Sequence, residues 1–261
     1  MQKFSRALFA APLLVFATAG HTMDQPSAED LGIDSPRQIL LVGNSYLYYN
    51  DSLHNHTARL VREGEGIDDI AYRSVTISGG RLSHHPYEHY LTAGAIGYDD
   101  PFDVVVLQGH STAANTEEHR ETFRDAVLAA NGLIEDHGAH TALYMTHAYA
   151  EGHDSYDPEM TANLMELYTE VAAEIDALVI PVGLAFDRAR EERPDLELHA
   201  DFDHSHPNLA GSYLAAATVY ATLYDAAPSG LEYNYFGRLD SDTASFLQQI
   251  AADTVADFQG E

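Results

Sequence analysis

The chain has 261 residues, with 41 Asp and Glu against 13 Lys and Arg, a formal net charge of −28, and no cysteine. That length suits one α/β domain with its own core. The charge argues against nucleic acid or an anionic lipid surface as partner, and the missing thiols exclude disulfides and thiolate chemistry.

Lys3 and Arg6 open a basic start, residues 7–16 are apolar, and Ala17-Thr18-Ala19 has the small-x-small pattern of a cleavage site. Residues 1–19 therefore read as an export signal, and a secreted or periplasmic product is expected. No stretch is apolar for long enough to insert the mature chain in a bilayer. Residues 20–36 are polar and irregular and read as a flexible segment ahead of a single domain at 37–261. The acidic surplus fits adaptation to high salt, where screening relieves self-repulsion. It fits equally an ordinary acidic surface.

Ile39-Leu40-Leu41-Val42 reads as a buried strand, and Gly43-Asn44-Ser45 as the corner that ends it. A helix follows to Gly64. Residues 71–77 alternate as a second strand before Gly79-Gly80. Residues 102–107 carry the clearest strand, Val104-Val105-Val106-Leu107. A helix at about 116–137 is expected to start with Asn115 and Glu118 as a capping pair. Residues 141–145 and 177–182 read as strands four and five, with a helix at 158–175 between them. Helices at 208–227 and 240–258, capped by Asn208 and Asp240, close the chain. Alternating strands and helices predict a three-layer, flavodoxin-like α/β sandwich. Its five-stranded parallel sheet is expected in the order 2-1-3-4-5, with helices on both faces. In that order the turns after the first three strands, which carry Ser45, Gly79 and His110, open on one edge.

A serine hydroxyl becomes a nucleophile only with a base to take its proton and a third group to hold that base. The chain offers Asp203-His204-Ser205-His206-Pro207 far downstream. The spacing lets the Asp203 carboxylate hold one imidazole nitrogen of His206 while the other faces Ser45. Pro207 and Asn208 then start a helix that fixes the turn.

These blocks resemble the SGNH (GDSL-like) hydrolases over about seven-tenths of the chain, and the runs Ile180-Pro181-Val182-Gly183-Leu184-Ala185 and Gly211-Ser212-Tyr213-Leu214-Ala215-Ala216 look like a bacterial exported subgroup of them. Gly43-Asn44-Ser45 is similar to the family's first block, with Asn44 where Asp is commoner. Ile77-Ser78-Gly79-Gly80 is similar to the second, and Asp203-x-x-His206-Pro207 to the last. The third block departs: Gln108-Gly109-His110-Ser111 stands where the family has Gly-x-Asn-Asp. The resemblance implies a serine esterase with catalytic Ser45, Asp203 and His206. It implies an oxyanion hole from the amides of Ser45 and Gly79, with His110 or Gln108 as third donor, and no cofactor or metal. The expected substrate is a small-molecule or carbohydrate ester, cleaved by acyl transfer.

Three rivals compete for the same residues. Gly109-His110-Ser111-Thr112-Ala113 approaches a nucleophile elbow and makes Ser111 an alternative nucleophile of the α/β-hydrolase type. His85 and His89, spaced i, i+4, together with Asp203 or His204 would be a zinc-binding set. An exported glycan-binding module on a hydrolase-like fold is the non-enzymatic reading. Tyr46 and His147 are expected to line the substrate pocket, and Tyr48, Tyr49, Tyr87, Tyr90 and Tyr149 to offer a stacking platform.

Overall fold

The computed structural model describes residues 25–260. The expected export signal and residues 20–24 lie outside them.

The first strand, β1 (Gln38–Gly43), gives way to a one-turn helix, α1 (Ser45–Tyr48), and then α2 (Leu53–Gly64). The edge strand β2 (Ala71–Thr76) leads through a 3-10 turn to α3 (Tyr87–Leu91). Next come β3 (Val104–Gln108), α4 (Glu117–Asp136), β4 (His140–Tyr144), α5 (Met160–Glu174) and β5 (Leu178–Ile180). The chain ends in α6 (Val182–Glu192), α7 (Leu209–Tyr224) and α8 (Ser241–Gln259). The sheet runs β2-β1-β3-β4-β5 with all pairs parallel, as the sequence predicts.

Alternation along the strands builds two cores. Ile39, Leu41, Val104, Val106 and Ile180 face α2, α6, α7 and α8, whereas Leu40, Val42, Val105, Leu107 and Val179 face α3, α4 and α5. Both faces of each central strand are covered, which is why the strands read as unbroken apolar runs. Every residue of α7 except Leu209 and Tyr224 is buried. Among the described residues, no helix is long and apolar enough to cross a membrane.

Four expectations need correction. Residues 25–36 are no loose tail, because Ala28 and Ile33 are buried in the core and the backbone amides of Ala28 and Glu29 donate to Asp225. The cap of α4 is Thr116, which accepts from the amide of His119 at 3.2 Å, so the helix starts one residue later than the Asn115 pair implied. β3 spans Val104–Gln108, displaced toward the corner from the expected 102–107. β5 stops at Ile180, since Pro181 has no N–H to extend the ladder and instead opens α6. The predicted caps Asn208 and Asp240 are both in place.

Candidate active site

The Gly43-Asn44 corner swings the chain out of the sheet and makes Ser45 the first residue of α1, only 8% exposed. Asn44 caps that helix through its side-chain oxygen, which accepts from the amide of Tyr46 at 3.2 Å, while its Nδ2 donates to the Gly80 carbonyl. Gln108, at the end of β3, clamps the corner from the other side: its Oε1 accepts the Asn44 amide at 2.9 Å and its Nε2 donates to the Gly109 carbonyl. Only glycine at position 43 leaves room, since a Cβ there would stand 2.4 Å from Gln108 Oε1.

The partner imidazole arrives from the other end of the domain. His206 is linked through Nδ1 to Asp203 Oδ2, and its Nε2 lies 2.8 Å from Ser45 Oγ. Asp203 Oδ1 also accepts the amides of Ser205 and His206, each at 3.1 Å. Burial raises the carboxyl pKa, but the His206 ring and the two amides outweigh it and hold Asp203 below its ordinary value. The turn itself is tightly pinned. His204 takes a left-handed conformation (φ +54°), the backbone amide of Ala200 donates to the His206 carbonyl, and His199 pairs with Pro207 in an antiparallel bridge. Asn208 then caps α7, so the residue next to the imidazole is rooted in the most enclosed helix of the fold. Asn50 ties the two halves together, its Nδ2 donating to the Pro207 carbonyl at 2.9 Å and to Ser212 Oγ at 2.8 Å.

Ser45, Asp203 and His206 are therefore brought together at one edge of the sheet. Gly79 sits exposed at the same sheet edge with φ +63°, and its amide has no partner among the described residues. As first residue of a helix, Ser45 also has an amide with no intrahelical acceptor.

The other expected site residues do different work. Gln108 spends its amide on the corner and is 1% exposed, so it positions Ser45 and presents no donor to a substrate. His110 has Nδ1 bound to the Thr112 hydroxyl and amide, and its ring lines a small pocket with Arg81, Leu82 and His119. Burial, followed by the charge of Arg81, keeps it below the ordinary histidine pKa. No hydrogen bond joins it to Ser45 among the described residues.

Tyr46 and His147 are not pocket walls. Tyr46 is 6% exposed and His147 fully enclosed. The His147 ring is sandwiched between Tyr46 (4.5 Å) and Phe186 of α6 (4.1 Å), and its Nε2 meets the Ser205 carbonyl at 2.9 Å. Both residues support the His206 turn from behind. Tyr46 also binds Ser205 Oγ at 2.7 Å.

Ser111 pairs with the Tyr149 hydroxyl at 2.8 Å, and among the described residues no histidine bonds its hydroxyl. His85 is buried against Tyr90 whereas His89 is exposed, so the two do not share a face. Among the described residues no group of three or more His, Asp or Glu could hold a metal ion. Of the expected tyrosines, Tyr87 and Tyr149 are buried, while Tyr48 is exposed and Tyr49 part-buried at the mouth of the site. A groove of about 1050 Å³ between α5, α6 and α8 contains none of the site residues.

No family model matches the chain, and no curated protein matches it significantly. Solved structures do. A protein from Slackia heliotrinireducens assigned to the SGNH hydrolases is 25% identical, with 72% of this chain and 98% of that one covered and a TM-score of 0.59. The chain has the fold of the SGNH hydrolases. That fold also relates it to a DUF4886 family protein from Bacteroides uniformis, at 18% identity over 85% of this chain and 96% of that one, TM-score 0.67. A mutant acetyl-xylooligosaccharide esterase from Geobacillus is similar at 19% identity over 73% and 95% of the two chains, TM-score 0.53.

Proposed function

We propose that the protein is a serine hydrolase of carboxylic esters, acting through an acyl-enzyme on Ser45. The reading rests on one observation: His206 Nε2 within 2.8 Å of Ser45 Oγ, with Asp203 on the opposite ring nitrogen. His206 takes the hydroxyl proton as Oγ attacks the ester carbonyl, and Asp203 fixes the tautomer and stabilises the imidazolium. The amides of Ser45 and Gly79 receive the oxyanion. When the carbonyl reforms, the C–O bond to the alcohol breaks and His206 returns the proton to the leaving oxygen. Water, deprotonated by the same imidazole, then releases the acid and frees Ser45.

Acetyl esterases among the structural neighbours support a short acyl group, on a small alcohol or a carbohydrate. The signal-like residues 1–19 support an exported enzyme. Turnover of p-nitrophenyl acetate tests the class. It is expected in the wild type and absent from Ser45→Ala, with circular dichroism unchanged. A fluorophosphonate should label Ser45 and leave Ser111 untouched. Labelling of Ser111, or full activity in Ser45→Ala, overturns the reading.

A further inference from the structure

We infer that Tyr48, Tyr49 and Phe202 form a one-sided stacking shelf that binds the alcohol part of the ester, and that this alcohol is an uncharged sugar ring. The inference rests on the ester hydrolase reading and adds to it the substrate class and the residues that select it.

The rings stack in series. Tyr48 lies on Tyr49 at 5.4 Å and 14°, and Tyr49 on Phe202 at 6.1 Å and 26°. Tyr49 and Phe202 each also face the His206 imidazole, at 4.4 Å and 6.1 Å, with planes within 30° of it. Since His206 Nε2 touches Ser45 Oγ, the shelf starts at the nucleophile and leads away from it.

Phe202 is 69% exposed and Tyr48 40% exposed, two of the few large apolar side chains left open to water among the described residues. Leaving such a ring in water forgoes the burial that a folded chain ordinarily gains from phenylalanine. A shelf open on one side suits a ring with one apolar C–H face and hydroxyls around its edge, which water still wets when the ring is bound. A long acyl chain would leave half its surface in water there, and is better served by an enclosed channel.

Charge narrows the choice further. Asp201 and Asp203 flank Phe202 in the chain, the only lysine of the sequence is Lys3, and the net charge is −28. An anionic alcohol such as a phosphorylated or uronic sugar would be repelled. Tyr48 hydroxyl and Ser78 Oγ, 3.2 Å apart and exposed, offer polar contacts at the far end.

The test compares ethyl acetate and ethyl octanoate, whose small alcohol cannot stack, with acetylated xylooligosaccharide and acetylated methyl glucoside, in wild type, Phe202→Ala, Phe202→Tyr and Phe236→Ala. Phe202→Ala should raise KM for the sugar esters about five- to tenfold with kcat nearly held. It should change ethyl acetate kinetics far less, so the ratio of the sugar-ester to ethyl acetate kcat/KM values falls. Phe202→Tyr should restore that ratio. Phe236→Ala, which removes a 78% exposed ring from another loop, should leave it unchanged. An unaltered ratio in Phe202→Ala overturns the shelf while the esterase stands. So does a selective loss of ethyl octanoate turnover, which would make the shelf an acyl site. A wild type inert toward all these esters overturns both readings.

Discussion

Acid should weaken this fold at a defined place. His199 is 4% exposed, and its Nε2–H donates to the Ala148 carbonyl at 2.9 Å. Burial, reinforced by Arg190 and His204 and opposed by that carbonyl and Asp203, pushes its pKa from 6.5 down to about 4. Above pH 6.5 the ring is neutral in folded and unfolded chains alike, so its contribution to stability is then complete. Below 6.5 the unfolded chain takes up a proton that the folded chain refuses until about pH 4, and stability drains through that window. The span corresponds to about 3 kcal/mol in full and about 2 kcal/mol by pH 5. His147, stacked edge-on to His199 at 5.1 Å and likewise held down by burial, adds a loss of the same sign. Urea unfolding of wild type and His199→Gln at several pH values between 5 and 7 isolates the effect. The glutamine amide can still reach Ala148, and the many surface carboxylates cancel in the comparison. The variant should lose about 2 kcal/mol less than wild type over that range. Parallel curves would refute the assignment of a neutral, proton-refusing His199.

Asp203→Asn should lower kcat about 10⁴-fold while the protein still folds, because the imidazole loses its fixed tautomer; a change below tenfold in steady-state kinetics would remove Asp203 from the mechanism. Gln108→Ala should cost about 1–3 kcal/mol in chemical denaturation by orphaning the buried Asn44 amide, with kcat falling more than KM changes. Gly43→Ala should cost a similar amount by driving a methyl into Gln108 Oε1, and the double variant should lose less than the sum of the two, since the clash disappears with its partner. Thermal denaturation at rising NaCl should show Tm increasing as 41 acidic side chains are screened; a flat curve would dismiss self-repulsion as a burden on this fold.

The parts of the site legible in the sequence are those whose chemistry is local. A buried strand ending in Gly43-Asn44-Ser45, and Asp203 three residues before His206, each declare a geometry within one turn of chain. The strand pattern supplies the edge on which they meet. What the sequence hid depends on contacts between distant segments. His147 follows a strand and by position faces the pocket, but α6, too short and mixed in pattern to be resolved from the strand before it, brings Phe186 over its face. By position Gln108 is a candidate donor for substrate, yet the missing side chain of Gly43 lets it pack under the nucleophile instead. Phe202 carries no periodic signal. Only the left-handed turn at His204 and the stacking of Phe202 on Tyr49 and His206 reveal that it stands beside the imidazole. Residues 25–36 are polar overall, yet two apolar anchors, Ala28 and Ile33, are enough to seat them in the core.

The Asn50 side chain bridges Pro207 and Ser212 from a segment in which Asn50, Asp51 and Ser52 all hold positive φ. Such backbone persists only where its surroundings over-determine it. The serine and its base are thus fastened to each other by a strut that exists before any ester arrives. Inactivation by a fluorophosphonate should then proceed in a single exponential from the moment of mixing, with no lag for a domain to shut.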